Sequence, residues 1–134
     1  AMAVEMMRLD HVNVRTANLE AMVAWYGEML GMTSGPRPDF PFPGAWLYMG
    51  DHAAIHLVGV SDPTVSDGNL SLEHFAMAAT GIGALLQRAE AAGEKTRVAR
   101  VPGYPIVQVN MWDPDGNHIH IDFDLAEAEA AGAI

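Results

Sequence analysis

Four of the six histidines in this 134-residue chain lie in repeated local sequence, which makes them the side chains best placed to do chemistry together. Leu9-Asp10-His11-Val12-Asn13-Val14 matches Leu72-Glu73-His74-Phe75-Ala76-Met77 in its order of apolar, acidic, histidine, apolar, small and apolar residues. Ile55-His56-Leu57 matches Ile119-His120-Ile121 in the same way. The offsets are 63 and 64 residues, so one register relates both pairs. Imidazole suits Zn, Fe, Ni and Cu better than Mg or Ca. Because the chain has no cysteine, thiolate sites, disulfides and a cysteine nucleophile are excluded, and any transition-metal site must use His, Asp or Glu.

A single histidine on a strand is usually a hydrogen-bonded or solvated residue. A purely structural repeat would keep pairs such as Val12 and Phe75 or Gly31 and Gly93; it has no reason to select imidazole at two separate places. His11, His74 and His120 are therefore the expected ligands of a divalent metal ion, with His56 as a fourth. His52, beside Asp51 in an expected turn, reads as a solvated loop residue. His118 shares a strand face with His120 but has no imidazole counterpart at position 54.

The elements that carry these residues also repeat. From Leu19, the residues Met22, Trp25, Tyr26, Met29 and Leu30 recur at helical spacing, and Gly31 is a C-terminal stop. In the second half Thr80 is placed to cap a helix with Ile82, Leu85, Leu86 and Ala89 on its apolar stripe, and Gly93 stops it. Further strands are expected at about 32–37 and 45–50, and at about 95–101 and 104–112. Each half thus reads as strand, helix and three strands, an α+β pattern in two tandem βαβββ modules. One domain is expected over 7–124, with module 1 at about 7–60, a turn-rich linker at 61–70 and module 2 at about 71–124. The Ala- and Glu-rich tail, 125–134, reads as a short helix or frayed end. Residues 36–43 hold four prolines and two phenylalanines and cannot form a central strand, since proline lacks the ladder donor. This segment reads as an edge connection with buried rings rather than a substrate lid.

Strand side chains alternate between two faces. Val12 and Val14 oppose His11, Asn13 and Arg15; Ile55 and Leu57 oppose His56; Phe75 and Met77 oppose His74; Ile119, Ile121 and Phe123 oppose His118, His120 and Asp122. The apolar face is the seat for the helices, which puts them on the outside. The other face collects the four histidines, joined by Gln108, Asn110 and Trp112 from one neighbouring strand and by Trp46 and Tyr48 from another. That mixture suits a pocket better than a core. Asn13, Arg15, Gln108 and Asn110 are expected to orient a substrate, with Trp46 and Tyr48 as an apolar wall.

Half the residues are apolar and 18% are charged, a globular composition rather than a disordered one. Seven basic against 17 acidic residues give a net charge of −10, which argues against nucleic-acid binding. No stretch reaches membrane-spanning length, and a soluble, cytoplasmic protein is the expectation.

The doubled module, the LDHVNV opening, the LEHFAM middle and the closing DPDGNHIHIDF together resemble the vicinal oxygen chelate superfamily, which includes glyoxalase I, extradiol dioxygenases and the fosfomycin- and bleomycin-resistance proteins. The resemblance covers about residues 7–124, and the DPDGN turn at 113–117 is its most specific element. It implies a curved mixed sheet forming a cup around a divalent metal, with ligands at the positions of His11, His56, His74 and His120. A homodimer that completes the cup across its interface is implied as well. Glyoxalase I carries glutamate at the positions of His56 and His120, so an all-histidine set leaves a divalent cation near +2 and either favours an anionic ligand or lowers the pKa of bound water toward neutrality. It also removes the usual carboxylate base, leaving Asp122 and His118 as the candidate substitutes. The expected function is a metal-dependent enzyme of the glyoxalase or dioxygenase type acting on a small oxygenated, preferably anionic molecule. The alternative is a non-catalytic binding protein resembling the bleomycin-resistance members.

Overall fold

The computed structural model describes residues 3–63 and 68–134. Its elements run β1 (Val12–Thr16), α1 (Leu19–Leu30), β2 (Thr33–Gly35), β3 (Gly44–Met49), β4 (His52–Gly59), β5 (Phe75–Ala78), α2 (Ile82–Ala91), β6 (Arg97–Arg100), β7 (Ile106–Trp112), β8 (His118–Asp124) and α3 (Leu125–Ala130). Two four-stranded sheets share one topology, with orders β1-β4-β3-β2 and β5-β8-β7-β6. In each, the first strand pairs parallel with the last and the other pairings are antiparallel. The fold is therefore the α+β tandem of βαβββ modules that the sequence predicts. The expected linker, 61–70, includes residues 64–67, which lie outside the described residues; the rest of it holds no helix or strand. No helix among the described residues is long and apolar enough to cross a membrane.

Local chemistry explains the element ends. α1 closes where Gly31 takes φ 68°, a left-handed conformation that glycine adopts without strain. β2 is shorter than expected because Pro36 and Pro38 follow it without N–H donors. Thr80 does not cap α2. The N-cap position is Gly81 at φ 94°, and its N–H is taken by the Glu127 carboxylate of α3. The rings of residues 36–43 are not buried either: Phe40 and Phe42 are each 40% exposed. They stack on each other at 4.9 Å, with the Arg37 guanidinium over both rings and donating to the Phe42 carbonyl. The four prolines hold these rings against each other at the surface instead of letting them reach the core.

The alternation of faces is as expected. Ala45, Leu47, Ile55, Leu57, Val107, Val109, Met111, Ile119, Ile121 and Phe123 are buried against Met22, Trp25, Tyr26 and Met29 of α1 and Ile82, Leu85 and Ala89 of α2 in one core. Each such large side chain contributes about 1.5–3 kcal/mol when fully buried. Polar ties hold the modules together: Tyr26 donates to Asp113 Oδ2 at 2.8 Å, Trp25 Nε1 to Glu94 at 3.1 Å, and Asn18 to Asp115 at 2.8 Å.

Asp113 organises the DPDGN turn. Its Oδ1 accepts from the backbone N–H groups of Asp115 and Asn117, and Oδ2 accepts from Asn117 Nδ2 and the Tyr26 hydroxyl. Burial pushes its carboxyl above the ordinary range, with these donors opposing, while burial and the Asp113 charge hold the Tyr26 phenol protonated. A carboxyl whose pKa rises on folding contributes stability that is full below its unfolded value and is lost as pH rises through the folded one. Removing a donor raises the folded value further. Tyr26→Phe is therefore expected to cost about 1–3 kcal/mol, and the deficit should be larger at neutral pH than near pH 4. Urea unfolding at the two pH values checks both statements.

Candidate metal centre

The histidines of each module form a separate group. In module 1 the His11 and His56 rings stack at 3.7 Å and 9°, and Trp46 stacks on the other side of the group at 3.9 Å from His56. Asp10 accepts from His11 Nδ1 at 2.7 Å. His56 Nε2 faces the Ala53 carbonyl at 3.2 Å, and burial, then the neighbouring His11, lowers the pKa of His56. Imidazole lone pairs lie in the ring plane, so two rings stacked face to face do not aim at one point. His11 and His56 can share an ion only if one ring turns.

In module 2 the rings are tilted instead. His74 lies 4.5 Å from His120 and 5.1 Å from His118, at interplanar angles of 45° and 56°. Glu73 spans two of them, with Oε1 2.8 Å from His74 Nδ1 and Oε2 2.6 Å from His118 Nδ1. Those two hydrogen bonds, His118 first, hold the Glu73 carboxyl below its usual range; the His11 bond does the same for Asp10. His120 is 6% exposed, and its Nδ1 donates to Asp122 at 2.6 Å. Ligand atoms of Glu73, His74 and His118 all lie within 4.8 Å of one another. Donors around a zinc-sized ion stand roughly 3.3 Å apart, so these three side chains would have to draw closer to hold a cation.

One pattern unites His11, His74 and His120. Each gives its Nδ1 proton to a carboxylate, and among the described residues each ring's Nε2 makes no hydrogen bond. Metal-binding histidines are oriented in this way, with an outer carboxylate fixing the tautomer and raising the basicity of the free nitrogen. The donor set of imidazole and carboxylate fits Zn, Fe or Ni. His118 differs, because Nε2 is also engaged, at 2.7 Å from Asn110 Oδ1, and Trp112 stacks on the ring.

A glyoxalase/bleomycin resistance protein/dioxygenase superfamily model matches residues 8–121. The chain belongs to this superfamily. Solved structures agree in fold. A glyoxalase family protein from Bacillus anthracis is 23% identical with a TM-score of 0.75, over 92% of this chain and 99% of that one. A glyoxylase/bleomycin resistance protein/dioxygenase domain from Frankia is 16% identical with a TM-score of 0.74, over 90% and 99%. The trypanothione-dependent glyoxalase I of Leishmania major is 19% identical with a TM-score of 0.67, over 96% and 94%. No match is found among curated proteins.

Within this superfamily chain, two cavities lie where β1 meets β5. The larger, about 370 Å³, is bordered by Asn13 and Arg15 on one side and Glu73, His74 and His118 on the other. The smaller, about 250 Å³, takes in Asp10, His11 and His52 beside Ala76. The other expected substrate residues stand elsewhere. Tyr48 covers Gly35 and its hydroxyl donates to the Pro36 carbonyl, while buried Asn110 donates to the Arg97 carbonyl. Gln108 sits beside Asp122 in the β7–β8 register. No ring contact or hydrogen bond among the described residues joins the histidines of module 1 to those of module 2.

Two carboxylates, Asp10 and Glu73, were not singled out by sequence reasoning. The signal was present, since an acid precedes the histidine in both repeats. Parity assigns such neighbours to opposite faces, but β1 begins at Val12 and β5 at Phe75, so each acid-histidine pair lies just outside its strand. There the carboxylate can turn to its neighbour's ring. His52 likewise is not a free loop residue: it opens β4, and its Nε2 faces the Asp10 carbonyl at 2.6 Å.

Proposed function

We propose that this protein is a divalent-metal-dependent enzyme of the glyoxalase or dioxygenase type, acting on a small oxygenated anion, with His11, His74 and His120 as ligands and His56 as a fourth. The observation that carries this reading is the carboxylate behind Nδ1 of His11, His74 and His120. A bound Zn, Fe or Ni ion would supply Lewis-acid polarisation of substrate oxygens. The chain's own part is to aim imidazole nitrogens and to hold protons. Asp122 keeps the His120 proton on Nδ1, and Glu73 does the same for His74. Neither His56 nor His120 can serve as a carboxylate base, which leaves Glu73, Asp122 and His118 as the groups able to exchange a proton with substrate.

The separation of the two histidine groups supports a homodimer, in which module 1 of one protomer would face module 2 of its partner and complete the four-histidine set. Protein purified without a histidine tag is expected to carry close to one metal ion per chain by elemental analysis, and to run as a dimer in multi-angle light scattering. Metal-free protein that takes up no ion on reconstitution, yet binds a cationic glycopeptide antibiotic, would replace this reading with the non-catalytic one.

A further inference from the structure

We propose that Arg15 anchors a substrate carboxylate in the cavity between β1 and β5, making the substrate a small amphipathic monocarboxylate whose other oxygens face His74. This rests on reading the His74 group as a metal site, and it deepens that reading by naming the substrate class. The cavity is bordered by Asn13 and Arg15 from β1 and by Glu73, His74 and His118 across from them, with Leu72 among its apolar walls. Its volume of about 370 Å³ lies at the lower end for small-molecule sites.

Charge bookkeeping singles out this arginine. The chain has seven basic side chains against 17 acidic ones, and several of the seven are committed. Arg8 pairs with Asp10, Arg37 donates to the Phe42 carbonyl, Arg88 donates to the Met29 carbonyl, and Lys95 lies over Trp112. Arg97 and Arg100 are on β6, the outer strand of its sheet. Arg15 alone of the seven borders the larger cavity, and among the described residues it has no ion pair or hydrogen bond. The one carboxylate in that lining, Glu73, is shared between His74 and His118 and does not neutralise it.

The exposed Arg15 guanidinium offers a planar fork that matches the two oxygens of a carboxylate. Asn13 lies two residues from Arg15 on the same face, roughly 6.6 Å along the strand, within reach of a hydroxyl or carbonyl on the neighbouring carbon. A ligand spanning the cavity would place its acid on Arg15, its vicinal oxygen toward Asn13 and His74, and its apolar part on Leu72. An aldehyde, ester or uncharged diol would leave the guanidinium unmatched.

The test uses full-length protein, zinc-loaded and metal-free, titrated with mandelate and with methyl mandelate while the arginine Nε–Hε resonances are followed by NMR. Arg15 is assigned by comparison with Arg15→Lys. Mandelate is expected to shift the Arg15 resonance and to bind the zinc form about tenfold more tightly than its ester. Arg15→Gln should erase that preference while leaving zinc affinity unchanged, and Arg15→Lys should keep part of it. Equal binding of acid and ester, absence of binding by either, or shifts at Arg97 or Arg100 with none at Arg15, would overturn the proposal. The metal reading fails separately. If zinc does not bind but mandelate still shifts Arg15 in a manner lost in Arg15→Gln, the anchor stands and the metal does not. If zinc binds and Arg15 is silent, the reverse holds.

Discussion

Replacing His74 with alanine is expected to lower metal affinity by more than about 100-fold while leaving the metal-free fold intact. His74 is exposed and among the described residues makes one hydrogen bond, to Glu73, so its loss should change metal-free stability by no more than about 0.5 kcal/mol. Its contribution to an ion is of another order. Losing an outer carboxylate alone typically costs 10–100-fold in affinity, and losing the ligand itself costs more. His120→Ala should give the same loss of metal but with some loss of stability, since that ring is buried and its removal strands Asp122. His56→Ala is expected to have a smaller effect, because its ring lies flat on His11 rather than converging with it. Thermal unfolding with and without zinc separates these outcomes. At zinc 100 times its dissociation constant the wild type gains about 2.7 kcal/mol, and that gain should vanish in His74→Ala. A His74→Ala protein that retains one tightly bound ion per chain would remove His74 from the ligand set.

The two modules could be read from the sequence because their signals are period and offset. Apolar residues at helical spacing marked α1 and α2, and alternation placed Ile55, Leu57, Ile119 and Ile121 in the core with the histidines opposite. Alternation depends only on backbone geometry, so it holds wherever a strand is regular. It fails at strand entrances, and the acid-histidine pairs sit there: Asp10 with His11 before β1, Glu73 with His74 before β5. Pairing between rings was also out of reach, because it depends on side-chain torsions. Whether His11 and His56 converge or stack, as they do, is decided by side-chain torsions that spacing does not fix. The same limit applies to Phe40 and Phe42, which reach each other and Arg37 rather than the core because four prolines set their backbone. His118 lacks a histidine counterpart in module 1, yet it is joined to His74 through Glu73, a link that runs across strands and leaves no trace in spacing.

Asp122→Ala is expected to weaken metal binding by about 10–100-fold through His120 alone. The Asp122 carboxylate holds the His120 Nδ1 proton at 2.6 Å, which leaves Nε2 as the nitrogen with the free lone pair. Without the acid both tautomers become accessible and the ring can turn, so affinity falls although no ligand is removed. Asp122→Asn separates orientation from charge. Its carbonyl can still accept the Nδ1 proton, so a fall well short of that in Asp122→Ala means that orientation matters most, and an equal fall means that the negative charge does. Glu73 invites a sharper comparison, because it holds two rings with two oxygens and its own ligand atom lies close to those of His74 and His118. In Glu73→Gln a single carbonyl oxygen must serve two N–H groups, and one ring is released. If Glu73 orients His74, the variant should lose about as much affinity as Asp122→Ala; if Glu73 itself binds the ion, it should lose as much as His74→Ala. Competition with a chromophoric zinc chelator resolves that difference. Glu73 is exposed and Asp122 only partly buried, so the chelator result can be read against an intact fold checked by circular dichroism.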